Sequence, residues 1–136
     1  MYETFEHTAD IGLRARAADL DGLFAEAAKA FFSVIVENPD AVRPVEQLTF
    51  RVEADERDDL MYDWLAELLY LFDTRHLLLC EFDVQVGEGS LAATVGGEPI
   101  DSDRHRLDME VKAITYHELK VEPSPEGWLA EVIVDL

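Results

Sequence analysis

The stretch QLTFRVEADERDDLMYDWLAELLYLF, residues 47–72, changes its period halfway along. Over its first nine residues, Leu48, Phe50, Val52 and Ala54 alternate with Thr49, Arg51 and Glu53. A period of two describes a strand with one buried face. From Asp58 onward the apolar residues fall at Leu60, Met61, Trp64, Leu65, Leu68, Leu69, Leu71 and Phe72. That spacing belongs to a helix. A strand running straight into an amphipathic helix sets the pattern for the whole chain.

Upstream, a first helix begins after Asp19, a side chain suited to capping its free N–H groups. Leu20, Leu23, Phe24, Ala27, Ala28, Phe31, Phe32 and Ile35 share one helical face, and Asn38-Pro39 ends it. The second helix is the more apolar of the two and is expected to be the more buried. Downstream, FDVQV and SLAATV flank Gly87-Glu88-Gly89, a hairpin signal. Gly96-Gly97-Glu98-Pro99 reads as the next turn. MEVKAITYHELKVE and WLAEVIVDL then read as two longer strands joined by a turn containing Pro, Ser and Gly. The order is strand, helix, strand, helix and four strands, without a repeat or linker. It predicts one α+β domain over residues 1–136, with two helices packed on mostly antiparallel sheet.

Composition narrows the function. A chain of 136 residues that is 49% hydrophobic can bury a real core. Thirty acidic residues against eleven basic ones give a net charge of -19. Such a surface repels phosphate backbones, so direct binding of nucleic acid is not expected. It suits a basic protein partner, carboxylates gathered around a cation, or plain solubility and salt adaptation. The single cysteine, Cys80 in LLLCEF, excludes an internal disulfide and reads as a small buried hydrophobe. No leader or membrane-length apolar run is visible, so a cytoplasmic protein is expected.

Familiar enzyme signatures are absent. The sequence has no glycine-rich phosphate loop, no CxxC or HExxH zinc spacing and no Gly-x-Ser-x-Gly elbow. Catalysis of its own is therefore not expected. Two polar features remain. HTADIG, residues 7–12, interrupts the opening strand region, and reads either as a turn capped by Asp10 or as half of a site. VIVDL ends the sequence inside a strand, delivering Asp135 and the main-chain or terminal oxygens of Leu136 to one place. Carboxylates brought together repel unless a proton or cation joins them, and oxygen donors suit magnesium, calcium or manganese. Solvated, unrelated aspartates are the plainer alternative. In KAITYHEL, the period of two puts His117 on the apolar face unless a bulge resets the register. Asp63, Glu67 and Tyr70 form a polar stripe on the second helix that a solvated face explains.

Four stretches taken together resemble one family. HTADIG, LLYLFDTRHLLL, KAITYHEL and the final VIVDL look like the archeases, in the family's order and across essentially the whole chain. The resemblance implies a fold of paired strand-helix-strand-strand modules. It implies a protein cofactor of the RtcB-type, GTP-dependent RNA ligase, not an enzyme. Such a cofactor promotes guanylylation of the ligase's catalytic histidine, supports multiple turnover in tRNA processing and widens nucleotide use. It also implies a divalent metal site at Asp10, Asp135 and Leu136; the motif match does not decide whether His7, Lys112 or His117 takes part, and they are kept here as neighbours. The other function classes are a metal-dependent hydrolase of small phosphorylated substrates and a general chaperone or modulator of nucleic-acid enzymes. The hydrolase lacks a visible nucleophile, base or phosphate cradle.

Overall fold

The computed structural model describes residues 1–7 and 10–136, so Thr8 and Ala9 of HTADIG lie outside the described residues. The chain opens with a hairpin, β1 (Tyr2–His7) and β2 (Asp10–Ala17), where the sequence suggested one interrupted strand region. Helix α1 (Leu20–Ile35) follows, and the Asp19 carboxylate accepts from the N–H of Gly22 at 2.8 Å, the expected cap. After a short 3-10 turn (Pro39–Ala41) come β3 (Glu46–Glu53), α2 (Arg57–Arg75) and the hairpin β4 (Leu77–Gly87) with β5 (Ser90–Pro99). A long connection leads to β6 (Ala113–Ile114), β7 (Lys120–Ser124) and β8 (Gly127–Asp135).

All strand pairs are antiparallel, and they form two sheets. One runs β1-β2-β8-β6 with β7 also on β8, and the other runs β3-β5-β4. The smaller sheet with α2 is a strand-helix-strand-strand unit in unbroken sequence. The larger repeats it: β2 leads into α1, and β7 and β8 return in the order β2-β8-β7, matching β3-β5-β4. The smaller unit is inserted into the larger, between α1 and β6. Two strand-helix-strand-strand modules therefore build the α+β fold.

Both helices touch strands of both sheets, so the modules share one core. The Trp64 indole N–H donates to the Phe24 carbonyl at 2.9 Å, tying α2 to α1 inside that core. Contrary to the sequence expectation, α1 is the more buried helix. Nine of its 16 residues are buried, against seven of 19 in α2. Ala27, Ala28 and Ala30 let α1 approach its neighbours closely. The outer stripe of α2 ends in an exposed Tyr70, as a solvated face requires. No helix is long and apolar enough to cross a membrane among the described residues.

Two further expectations are corrected. Gly96 and Gly97 do not turn the chain. They lie inside β5, opposite the bulge between Leu79 and Glu81, and a Cβ on Gly97 would overlap the Leu78 carbonyl. Close backbone approach at the bulge demands glycine there. Cys80 is the bulged residue and is half-buried, with burial pushing its thiol pKa up. The long strand expected over residues 109–122 is also broken. Ile114 pairs with Val134 and Lys120 with Glu131, so six residue steps on one side face three on β8. The excess leaves as a turn closed by Leu119 N–H donating to the Tyr116 carbonyl. That turn resets the register and puts His117 in solvent, 60% exposed, not on the apolar face.

Candidate metal centre

The outer face of the larger sheet carries the polar residues that its inner face excludes. On β2, Leu13 and Ala15 enter the core, while Asp10, Gly12, Arg14 and Arg16 point the other way. Gly12 is not a turn glycine: the Phe5 ring of β1 lies on it, and a Cβ there would overlap the ring. The Arg14 guanidinium covers Phe5 at 4.5 Å and pairs with Glu3 and Glu131. Arg14 and Lys120, bonded to Glu131, hold its carboxyl below the usual range against the burial that opposes them.

One step along, the register makes a transverse row. Asp10 is directly opposite His7 on one side and Asp135 on the other, and Asp135 in turn faces Ala113 of β6. Residues paired this way share a sheet face with their Cβ atoms about 5 Å apart. The structure thus places Asp10 and Asp135 opposite each other on one face of the sheet. The Lys112 N–H donates to the Asp135 carbonyl at 2.8 Å, and Leu136 is half-buried against the core, so the strand end is held. Lys112 therefore acts here through its backbone.

His7 fits beside this pair. Its Nδ1 is 3.8 Å from Asp10 Oδ2 and its Nε2 is 3.5 Å from Glu118 Oε2. Among the described residues, His7 Nδ1 is a buried side-chain atom without a hydrogen-bond partner. This face therefore carries an orphaned polar atom beside the Asp10 carboxylate, a feature that calls for a partner. The donor set, carboxylate and main-chain oxygens, fits a hard divalent ion at Asp10, Asp135 and Leu136.

Glu118 is the neighbour the sequence reading missed. It stands on the 116–119 turn with φ of 55°, an unusual conformation for a non-glycine residue. Its only sequence signal is adjacency to His117. The turn also stacks Tyr116 on Tyr62 of α2, centroids 4.1 Å apart, and burial followed by the Asp59 carboxylate pushes the Tyr116 hydroxyl up to about 12. The DTRH part of the LLYLFDTRHLLL motif has a structural task. His76 caps α2 in the left-handed conformation and its carbonyl accepts from the Ile100 N–H.

Fold and site together define a class: a two-module α+β protein with carboxylates and imidazoles aligned at one margin of its larger sheet. A model of the Archease protein family matches residues 2–136. The archease of Methanopyrus kandleri is 40% identical over 139 residues, covering 99% of both chains. That of Pyrococcus furiosus is 39% identical over 140 residues, covering 99% of this chain and 98% of its own. The solution structure of Methanobacterium thermoautotrophicum protein 1598 superposes with a TM-score of 0.87 at 36% identity, covering 99% of this chain and 98% of that one. A Thermotoga maritima archease, described as a possible chaperone, shares the fold with a TM-score of 0.67 at 20% identity, covering 100% of this chain and 98% of its own. The chain belongs to the Archease protein family.

Proposed function

We propose that this protein is a non-enzymatic cofactor of an RtcB-type, GTP-dependent RNA ligase in the cytoplasm. In this reading it promotes guanylylation of the ligase, sustains multiple turnover in tRNA processing and widens nucleotide use. The observation that carries the reading is the pairing of Asp10 with Asp135 across β2 and β8, in a chain of this family. Asp10, Asp135 and the main-chain oxygen of Leu136 would hold calcium, magnesium or manganese. Bound there, such an ion supplies positive charge suited to arranging nucleotide phosphates beside it.

The chain's own residues do the rest. β2 and β8 fix the two carboxylates relative to each other, and the β6 edge steadies Asp135 through its carbonyl. The net charge of -19 favours a basic partner face and speeds the encounter with it. Binding is expected to be transient, because RNA must later occupy the same basic surface.

The test is covalent GMP formation and multiple-turnover ligation by the cognate ligase under excess RNA. Substoichiometric wild-type protein should raise both, and Asp10→Ala or Asp135→Ala should lose most of that gain. No stimulation by wild type would refute the function. Full stimulation by both variants would refute the role of the carboxylates alone. A general chaperone is the second reading, favoured by the description of the Thermotoga maritima relative. It predicts protection of unrelated nucleic-acid enzymes from aggregation without preference for the ligase.

A further inference from the structure

We propose that His7, His117 and Glu118 form a second cation site, taking a divalent ion of the zinc or cobalt kind through two imidazoles and one carboxylate. Among the described residues, these three each offer a ligand atom within 4.8 Å of the others. His7 Nε2 lies 3.5 Å from Glu118 Oε2, and His117 Nε2 lies 3.8 Å from Glu118 Oε1. The imidazole rings meet edge to face, with centroids 5.3 Å apart.

Ligands about 2.0–2.1 Å from a tetrahedral ion stand about 3.3 Å from one another. Closing this group onto an ion therefore needs an inward movement of about 1 Å. His117 and Glu118 are 60% and 63% exposed on a turn, so their side chains are free to make it. His7, on β1, is the fixed member.

The turn brings Glu118 into place, and one feature goes unexplained if the three are only surface ion pairs, which contribute little. Glu118 takes the left-handed conformation that the third position of the turn closed by Leu119 N–H and the Tyr116 carbonyl calls for. That conformation places its carboxylate against both imidazoles. Among the described residues His7 Nδ1 is buried without a partner, 3.8 Å from Asp10 Oδ2. An ion on Nε2 would fix the remaining proton on Nδ1, facing the Asp10 carboxylate. Metal-bound imidazoles are oriented in this way by a carboxylate behind them.

The chemistry separates this site from the Asp10–Asp135 pair. Oxygen donors select hard ions, whereas paired imidazoles favour later transition metals and zinc. Asp10 links the two, as a ligand on one side and a hydrogen-bond acceptor on the other.

The test is titration of the untagged full chain with Co²⁺, followed by visible absorption, and with Zn²⁺ by calorimetry, both in excess Ca²⁺. The expected result is one equivalent bound despite the Ca²⁺, weakened at least tenfold by His117→Ala and by Glu118→Gln. His76→Ala, distant from the site, should bind like wild type. His117 is exposed, so its replacement keeps the fold, and circular dichroism checks His7→Ala before it is scored. Unchanged binding in His117→Ala and Glu118→Gln, or complete displacement by Ca²⁺, would overturn the proposal. Asp10→Ala and Asp135→Ala report separately on Ca²⁺, so either site can fail without the other.

Discussion

Replacing Glu98 by glutamine removes one charge and almost no volume from the best-connected buried carboxylate in the molecule. Glu98 is 5% exposed, at the end of β5. Its Oε1 accepts from Arg104 Nη2, and its Oε2 accepts from the Arg43 N–H at 2.6 Å and from His105 Nε2 at 3.2 Å. His105 is itself buried, and its Nδ1 accepts from the Asp101 N–H at 2.9 Å. The proton of neutral His105 must therefore sit on Nε2, pointing at Glu98. Three donors converge on one carboxylate. A glutamine offers one oxygen and turns an N–H toward at least one of them, leaving a buried donor unpaired.

These partners, the Arg104 guanidinium first, bring the Glu98 pKa down from 4.5 to about 2 in spite of burial. Because the folded value is depressed, the stabilisation is complete above the unfolded pKa and disappears as pH falls from about 4.5 to about 2. A difference of this size corresponds to about 3 kcal/mol at neutral pH and about 1 kcal/mol at pH 3. The half-exposed Arg104 side makes the first figure a ceiling. Urea unfolding of wild type and Glu98→Gln, at pH 7 and pH 3, measures the gap directly. We expect about 2–3 kcal/mol at pH 7, shrinking by more than half at pH 3. A gap that does not change with pH would refute the assignment, since other carboxylates titrate equally in both proteins.

Gly12→Ala should expel the Phe5 ring from its seat and cost about 2–3 kcal/mol in thermal or urea unfolding, with Phe5→Ala recovering part of the loss in the double variant. If the ligase encounter is steered by the charge of -19, stimulation at limiting protein should fall several-fold between about 0.05 and 0.5 M salt, measured as initial guanylylation rate.

Periodicity carried the helices because each has a long apolar face and a clean stop. It overstated α2, whose leucines are conspicuous but diluted by charged residues: 11 of its 19 residues are apolar, against 11 of 16 in α1, so the deeper burial of α1 follows its composition. It failed at Gly96-Gly97, where glycine accommodates a neighbouring bulge. A bulge 17 residues earlier in the chain, at Leu79/Glu81, leaves no local mark on those glycines. The same limit hid the 116–119 turn: TYHE alternates acceptably as strand, and only the pairing of both flanks with β8 reveals the surplus residues. At the candidate site, Asp10 and Asp135 stood out through the motif resemblance, while their direct opposition is a matter of register. His7 was visible as a neighbour. Glu118 was invisible because its approach depends on that unforeseen turn.

The buried Glu98 cluster and the exposed site are 37 residues apart along the chain, from Glu98 to Asp135, yet the fold makes one depend on the other. β5 ends the inserted module, and the chain must return from there to the outer sheet. Arg104 and His105 on Glu98 pin the start of that return. Asn38 then holds it on both sides, its amide donating to the Arg104 carbonyl and its oxygen accepting from the Arg106 N–H. Asp108 and Met109 donate to the Ile35 and Val34 carbonyls at the end of α1. What emerges from this clamp is Lys112 and Ala113, the two residues that pair with Asp135. The edge that steadies Asp135 is therefore supplied by an irregular segment. Buried charge and helix-end carbonyls hold that segment in place of a long strand. An unbroken ladder at this edge would leave no room for the 116–119 turn, and it is this turn that brings His117 and Glu118 to His7.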